Sequence, residues 1–144
     1  MNSMHAQKIN DTTWLLRIIR GEELLTEVDK FCREKDIQLG YFTGLGALEE
    51  FEIGIFLHDE KRYVSQTYTG NSEIIALHGN ITTMAGELYL HCHLGAGLED
   101  LTMVGGHLNR GIVNPTCELI LHCYEGTVDR FVDEDTGLNL LKLD

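Results

Sequence analysis

Between residues 22 and 35 the apolar positions are Leu24, Leu25, Val28, Phe31 and Cys32, opposed by Glu23, Glu27, Lys30 and Glu34. Steps of three and four draw a single apolar stripe along a helix. Glu22 and Glu23 fall in its first turn and Arg33 and Lys35 in its last, which complements the helix dipole at both ends, and Gly21 and Asp36 bracket it. Elsewhere the period shortens to two. The stretches 12–20, 37–44, 49–58, 61–69, 72–82, 87–94 and 116–126 are rich in β-branched and aromatic residues and read as strands. Turn chemistry separates them at His58-Asp59-Glu60, Thr69-Gly70-Asn71, Met84-Ala85-Gly86, Asn109-Arg110-Gly111 and Glu125-Gly126. Residues 95–102 are less regular and read as a loop or one short helix. The pattern predicts an α+β domain: a curved, mostly antiparallel sheet with one main helix packed at its side.

Alternate residues of a strand point to opposite faces. In 87–94 one face carries Leu88, Leu90, Cys92 and Leu94, a core set, and the other carries Glu87, Tyr89, His91 and His93. The same parity puts Glu118 and His122 on the polar face of 116–124, and His78 and Asn80 on that of 74–80. Three strands therefore present polar groups on one side.

Composition sets the outer bounds. A chain of 144 residues, 43% hydrophobic, suits one compact domain over 1–144, and its single proline and lack of Ser/Gly-rich runs mark no linker. No apolar run approaches the roughly 20 residues of a bilayer span. The amino-terminal stretch Met1 to His5 lacks the basic-then-apolar signature of a secretory leader, so the expected location is cytoplasmic. Cys32, Cys92, Cys117 and Cys123 show no C-x-x-C spacing and sit among apolar neighbours, as reduced core thiols do; Cys92 alone has histidines on both sides. With 11 Lys+Arg against 23 Asp+Glu the formal net charge is -12, a field that repels phosphate backbones. Direct nucleic-acid binding is not expected.

The candidate chemistry lies in "ELYLHCHLGAGLEDLTMVGGHL", residues 87–108. Two imidazoles two positions apart on a strand can reach one ion lying over the face between them, and a third from a neighbouring segment completes a set of neutral ligands with a position left open. His91, His93 and His107 are that candidate set, and Gly105 and Gly106 would let the backbone approach closely or bulge to aim His107. The same residues could equally be exposed or interface histidines and a turn histidine with no ion; spacing leaves both readings open. Glu118 is either a solvated strand residue or a carboxylate that moves a proton or orients a histidine. His78 is a candidate for the surroundings of the site, and Arg17 and Arg110 are candidate anchors for a carboxylate. His5, His58 and His122 have no supporting context.

The landmarks "RIIRGEELLTEVDKFC", "TGLGALEEFEIGIF", "IIALHGNIT", "LHCHLG", "VGGHLNRGIVNPTCELIL" and "DEDTGLNLL" occur in that order across residues 14–141. They resemble the plant-and-prokaryote conserved (PPC) domain of the single-domain prokaryotic type. The resemblance implies a large antiparallel sheet with a helix, a fold that is similar to acetolactate decarboxylase, and a homotrimer. In several prokaryotic members it also implies a metal held at positions matching His91, His93 and His107. Plant relatives join the domain to AT-hook arms; no Arg-Gly-Arg-Pro-like arm occurs here.

Three functions follow as expectations. The first is a trimeric metal-binding and interaction module, with zinc or another divalent transition metal and a small-molecule or protein partner. The second is a metal-dependent lyase or hydrolase acting on a small oxygenated metabolite. The third, by family analogy, is a DNA-binding, transcription-associated protein, against which the net charge argues.

Overall fold

Period-two alternation builds most of the chain into one antiparallel sheet. The computed structural model describes residues 3–144; Met1 and Asn2, part of the amino-terminal stretch read above, lie outside the described residues. The strands are β1 (His5–Asn10), β2 (Thr13–Ile19), β3 (Gly40–Leu57), β4 (Arg62–Met84), β5 (Glu87–Gly97), β6 (Met103–Cys123), β7 (Arg130–Val132) and β8 (Asn139–Leu141), and helix α1 (Leu24–Glu34) joins β2 to β3. This is the α+β class that the pattern predicts. Six strands run in the order β1-β2-β6-β3-β4-β5, and β5 pairs back onto β6. That last pairing closes part of the sheet on itself. From Gly54 of β3 the ladder passes to His107, His93 and His78 and meets β3 again at Thr43, so the circuit closes with a stagger along the strand. Closure curls the polar face and gathers its histidines.

Several expected turns are strand in the folded chain. Residues 37–44 and 49–58 form one strand, β3, and 61–69 and 72–82 form another, β4. Register shifts after Thr43 and Leu48 bend β3 without ending its pairing with β4, so Thr69-Gly70-Asn71 is a bend and no turn. Asn109-Arg110-Gly111 lies inside β6 for a similar reason. Leu108 pairs with Ile53 and Arg110 with Glu52, which leaves Asn109 as the extra residue of a bulge. Of residues 95–102, expected as a loop or one short helix, only 98–102 form a connection: β5 continues to Gly97, and a tight turn closed by Leu98 N–H to Thr102 O (2.8 Å) leads into β6. Strands β1, β7 and β8 are additions to the expected set; β1 is exposed throughout, and the other two have three residues each.

Leu24, Val28, Phe31 and Cys32 of α1 are buried and share one core with Leu16, Ile18, Phe42, Leu119 and Leu121 of the sheet. Trp14 stands edge-on to Phe31 at 5.1 Å. Glu23, which the sequence places in the first turn, is in fact the cap. Its carboxylate accepts N–H bonds from Leu25 (3.0 Å) and Thr26 (2.9 Å), and also from Gly111 of β6 (3.0 Å), so one side chain both starts the helix and ties it to the sheet. Glu23→Ala is expected to cost about 1–2 kcal/mol, and Glu23→Gln, which keeps an acceptor, less; urea denaturation of the metal-free protein measures both.

The four cysteines are free thiols, three of them buried. Burial is the main reason that Cys32, Cys92 and Cys117 are each pushed up to about 12. Cys92 points into the core, away from its two histidine neighbours. Among the described residues, no helix is long and apolar enough to cross a membrane.

Candidate metal centre

Strand parity aims Tyr89, His91 and His93 to one side of β5 while Cys92 and Leu94 are buried on the other. The β5–β6 hairpin then sets His107 directly across from His93. One ring nitrogen from each of the three imidazoles lies within 4.8 Å of the others. Nε2 of His91 and Nε2 of His93 are 3.1 Å apart. Two nitrogens bound at roughly 2.0–2.1 Å to one tetrahedral ion stand about 3.4 Å from each other, so this pair already has the spacing that a shared ion requires. The donor set fits a divalent transition metal with at least one position left for water or a ligand.

Close backbone approach aims the third histidine. His107 pairs with Gly54 of β3 as well as with His93. A Cβ built on Gly106 would lie 2.5 Å from the Gly54 carbonyl oxygen, and one on Gly54 would lie 2.2 Å from the Tyr63 hydroxyl. Two strands and a tyrosine therefore crowd together where only glycines fit. Gly106→Ala must push β6 off β3 at the residue before His107. The expected result is a zinc affinity about 10–100-fold weaker, on the scale of lost ligand support, read by competition with a chelator.

The surroundings of two of the rings favour the neutral form. His91 is lowered to about 4, chiefly by burial and then by His107, His93 and the Arg130 charge. His107 is lowered by burial and by His93. A neutral imidazole is the form that binds a metal, so at neutral pH neither ring has a proton to shed first.

The triad opens into a cleft of about 940 Å³. Asn80 of β4 sits across the ladder from His91. Its Oδ1 accepts from Nη2 of Arg130 (2.9 Å), and that guanidinium also lies 4.7 Å from the centre of the Tyr89 ring. On the other side Tyr63 meets His107 edge-on at 5.9 Å and donates to Asn109 Oδ1 (3.0 Å). Ile55, Phe56, Leu138 and Leu140 supply an apolar wall.

The other residues singled out from the sequence lie elsewhere within the chain. His78 pairs with His93 across the β4–β5 ladder and lines an adjoining groove, outside the three-histidine cluster. Glu118 and Arg17 face each other across the β2–β6 ladder and line a separate groove with Leu15, Leu45 and Ile120. Arg110 is spent on Glu50 (2.9 Å). The folded chain thus brings neither the expected proton-transfer group nor either expected anchor to its own triad: Glu118 and Arg17 pair with each other on the β2–β6 ladder, and Arg110 is engaged by Glu50.

What sequence reasoning missed is Arg130. Nothing in its local pattern distinguishes it, but the terminal Asp-x-x-Thr-Gly landmark is the turn that delivers it. Asp133 accepts from the Thr136 N–H (3.1 Å) and hydroxyl (2.7 Å), and Gly137 takes φ 76°, which folds β8 back on β7 with Arg130 at the hairpin's start.

A family model of the Plants and Prokaryotes Conserved (PCC) domain matches residues 6–124. The chain belongs to this family. Within the PCC match lie all three histidines; the β7–β8 hairpin and Arg130 fall beyond it. A plant- and prokaryote-conserved protein of Pyrococcus horikoshii has the same fold at a TM-score of 0.84, 31% identical over 99% of this chain and 96% of its own. A metal-containing protein of Archaeoglobus fulgidus superposes at 0.85, 28% identical over 95% of this chain and all of its own (100%). A candidate DNA-binding protein of Bacteroides thetaiotaomicron superposes at 0.93, 31% identical over 98% of both chains. Among curated proteins, the bifunctional GlmU protein of Synechococcus is 27% identical over 108 residues, and the aligned stretch spans only 16% of its length.

Proposed function

We propose that this PCC-domain chain is a homotrimeric metal-binding and interaction module in which His91, His93 and His107 hold one divalent transition ion, zinc foremost. The observation that carries the reading is the convergence of three imidazole nitrogens within 4.8 Å, two of them already 3.1 Å apart. The metal-containing Archaeoglobus protein, alike over 95% of this chain, supports it. A bound ion would supply Lewis acidity, and this chain's contribution is to present neutral ligands in a cleft with one side open. Support for the trimer comes from the outer sheet face, where Leu15 and Leu45 are 47% and 58% exposed beside the Arg17–Glu118 pair. A repeated heterologous contact that closes a ring would cover such a face.

The cleft around the triad favours a second reading, a metal-dependent lyase or hydrolase acting on a small oxygenated metabolite. Turnover of a panel of oxo and hydroxy acids by wild type but not by His91→Ala would support it over the bare module. The Bacteroides relative brings DNA to mind, but a chain of net charge -12 lacks the basic footprint of an autonomous binder. Duplex titrated at moderate salt should show no steeply salt-dependent binding.

Elemental analysis of protein purified without an affinity tag, paired with light scattering, tests the module. The expected result is about one transition ion per chain and a mass of three times 16.3 kDa. Absence of stoichiometric metal together with failure to take up zinc removes the reading.

A further inference from the structure

Arg130 is 8% exposed, and no carboxylate lies within ion-pair distance of it among the described residues. Its neighbours are neutral. Nε donates to Thr82 Oγ1 (2.9 Å), Nη1 to the Asn139 carbonyl (2.9 Å) and Nη2 to Asn80 Oδ1 (2.9 Å). A guanidinium carries five N–H groups, so one on each terminal nitrogen has no protein acceptor among the described residues. The cation also rests on the Tyr89 ring.

A buried charge is costly unless it is paired. The chain has 23 acidic residues, yet no Asp or Glu lines the cleft among the described residues, and a metal ion on the triad would add two further positive charges. A cleft without acids, with a buried guanidinium in its lining, is electrostatically suited to an anion from outside. Among the described residues no lysine and no helix terminus lines it, and His58 is its one imidazole outside the triad, so a single guanidinium is the anchor on hand, which suits one carboxylate better than a phosphate dianion. The wall of Ile55, Phe56, Leu138 and Leu140 suits a short carbon chain.

We propose that this cleft binds a small oxo- or hydroxy-carboxylate, with Arg130 as the anchor for its carboxylate and the remaining oxygen function presented to the triad. Only that second contact rests on the metal reading; the anchor stands without it. Asn80 is the positioning residue, since it touches Arg130 on one side and pairs with His91 on the other.

Calorimetric titration of the full chain, zinc-loaded and metal-free, with 2-oxobutanoate, its methyl ester and inorganic phosphate tests this, zinc content being measured in parallel. The acid is expected to bind the zinc-loaded protein at least about tenfold more tightly than the ester. Arg130→Lys, which keeps the charge but loses the planar donors, is expected to weaken the acid about tenfold at unchanged zinc content. Equal binding of acid and ester, no acid binding at millimolar concentration, or undiminished binding by Arg130→Lys would each overturn the proposal, and tighter binding of phosphate would overturn the assignment to carboxylates. If Arg130→Lys does not fold, the acid–ester comparison on wild type decides alone. A protein that takes up no zinc but still prefers the acid would sink the metal reading and leave the anchor in place.

Discussion

His107→Ala is expected to weaken zinc binding by at least about a hundredfold, more than the loss of any outer support around a metal ligand. Among the described residues the triad is the donor set that the folded chain brings together, and His91 and His93 alone would form a two-nitrogen site on an open strand face. His107 is also the ligand that arrives from another strand, so its removal separates a site that the fold assembles from a pair that β5 carries by itself. His78→Ala is the matched control. Its imidazole faces His93 across the ladder yet lies outside the cluster, and the affinity is expected to stay within about threefold of wild type on the scale of an ordinary surface substitution. Competition with a chromophoric chelator reads both. Equal retention of zinc by the two variants would mean that His107 is no ligand.

Phe42→Ala is expected to destabilise the metal-free protein by about 3–5 kcal/mol, a large share of the roughly 5–15 kcal/mol that holds a domain of this size together. The ring is 1% exposed and fills the space over Gly79, where an added Cβ would lie 2.3 Å from it. Gly79 pairs with Cys92, the core residue between His91 and His93. Phe42 thus backs the histidine pair from inside the sheet, and its removal leaves a cavity behind them. Urea denaturation measures the loss, and saturating zinc should raise the midpoint of wild type and variant alike by mass action. A loss under about 1 kcal/mol would show that the ring is not buried as described.

The helix was readable because its apolar stripe is local and unbroken, and the histidine face because parity needs only one strand. Period two says nothing, however, about where an extended segment keeps pairing through a glycine. That is why Thr69-Gly70-Asn71 and Asn109-Arg110-Gly111 read as turns while the folded chain uses the first as a bend and the second as a bulge. Closure of β5 onto β6 was equally out of reach, since it depends on partners that only the complete sheet supplies. The same limit explains the misplaced accessory residues. Glu118 shares the parity of the histidines, but curvature carries it to the Arg17 groove, whereas Arg130 enters from a short hairpin whose turn was visible and whose destination was not.

X-ray absorption at the zinc edge of the loaded, tag-free protein reads the ligands of the ion themselves. One zinc per chain is expected, with three imidazole nitrogens at roughly 2.0–2.1 Å and no sulfur neighbour. A sulfur shell at about 2.3 Å, or a zinc environment unchanged in His107→Ala, would contradict the three-histidine centre.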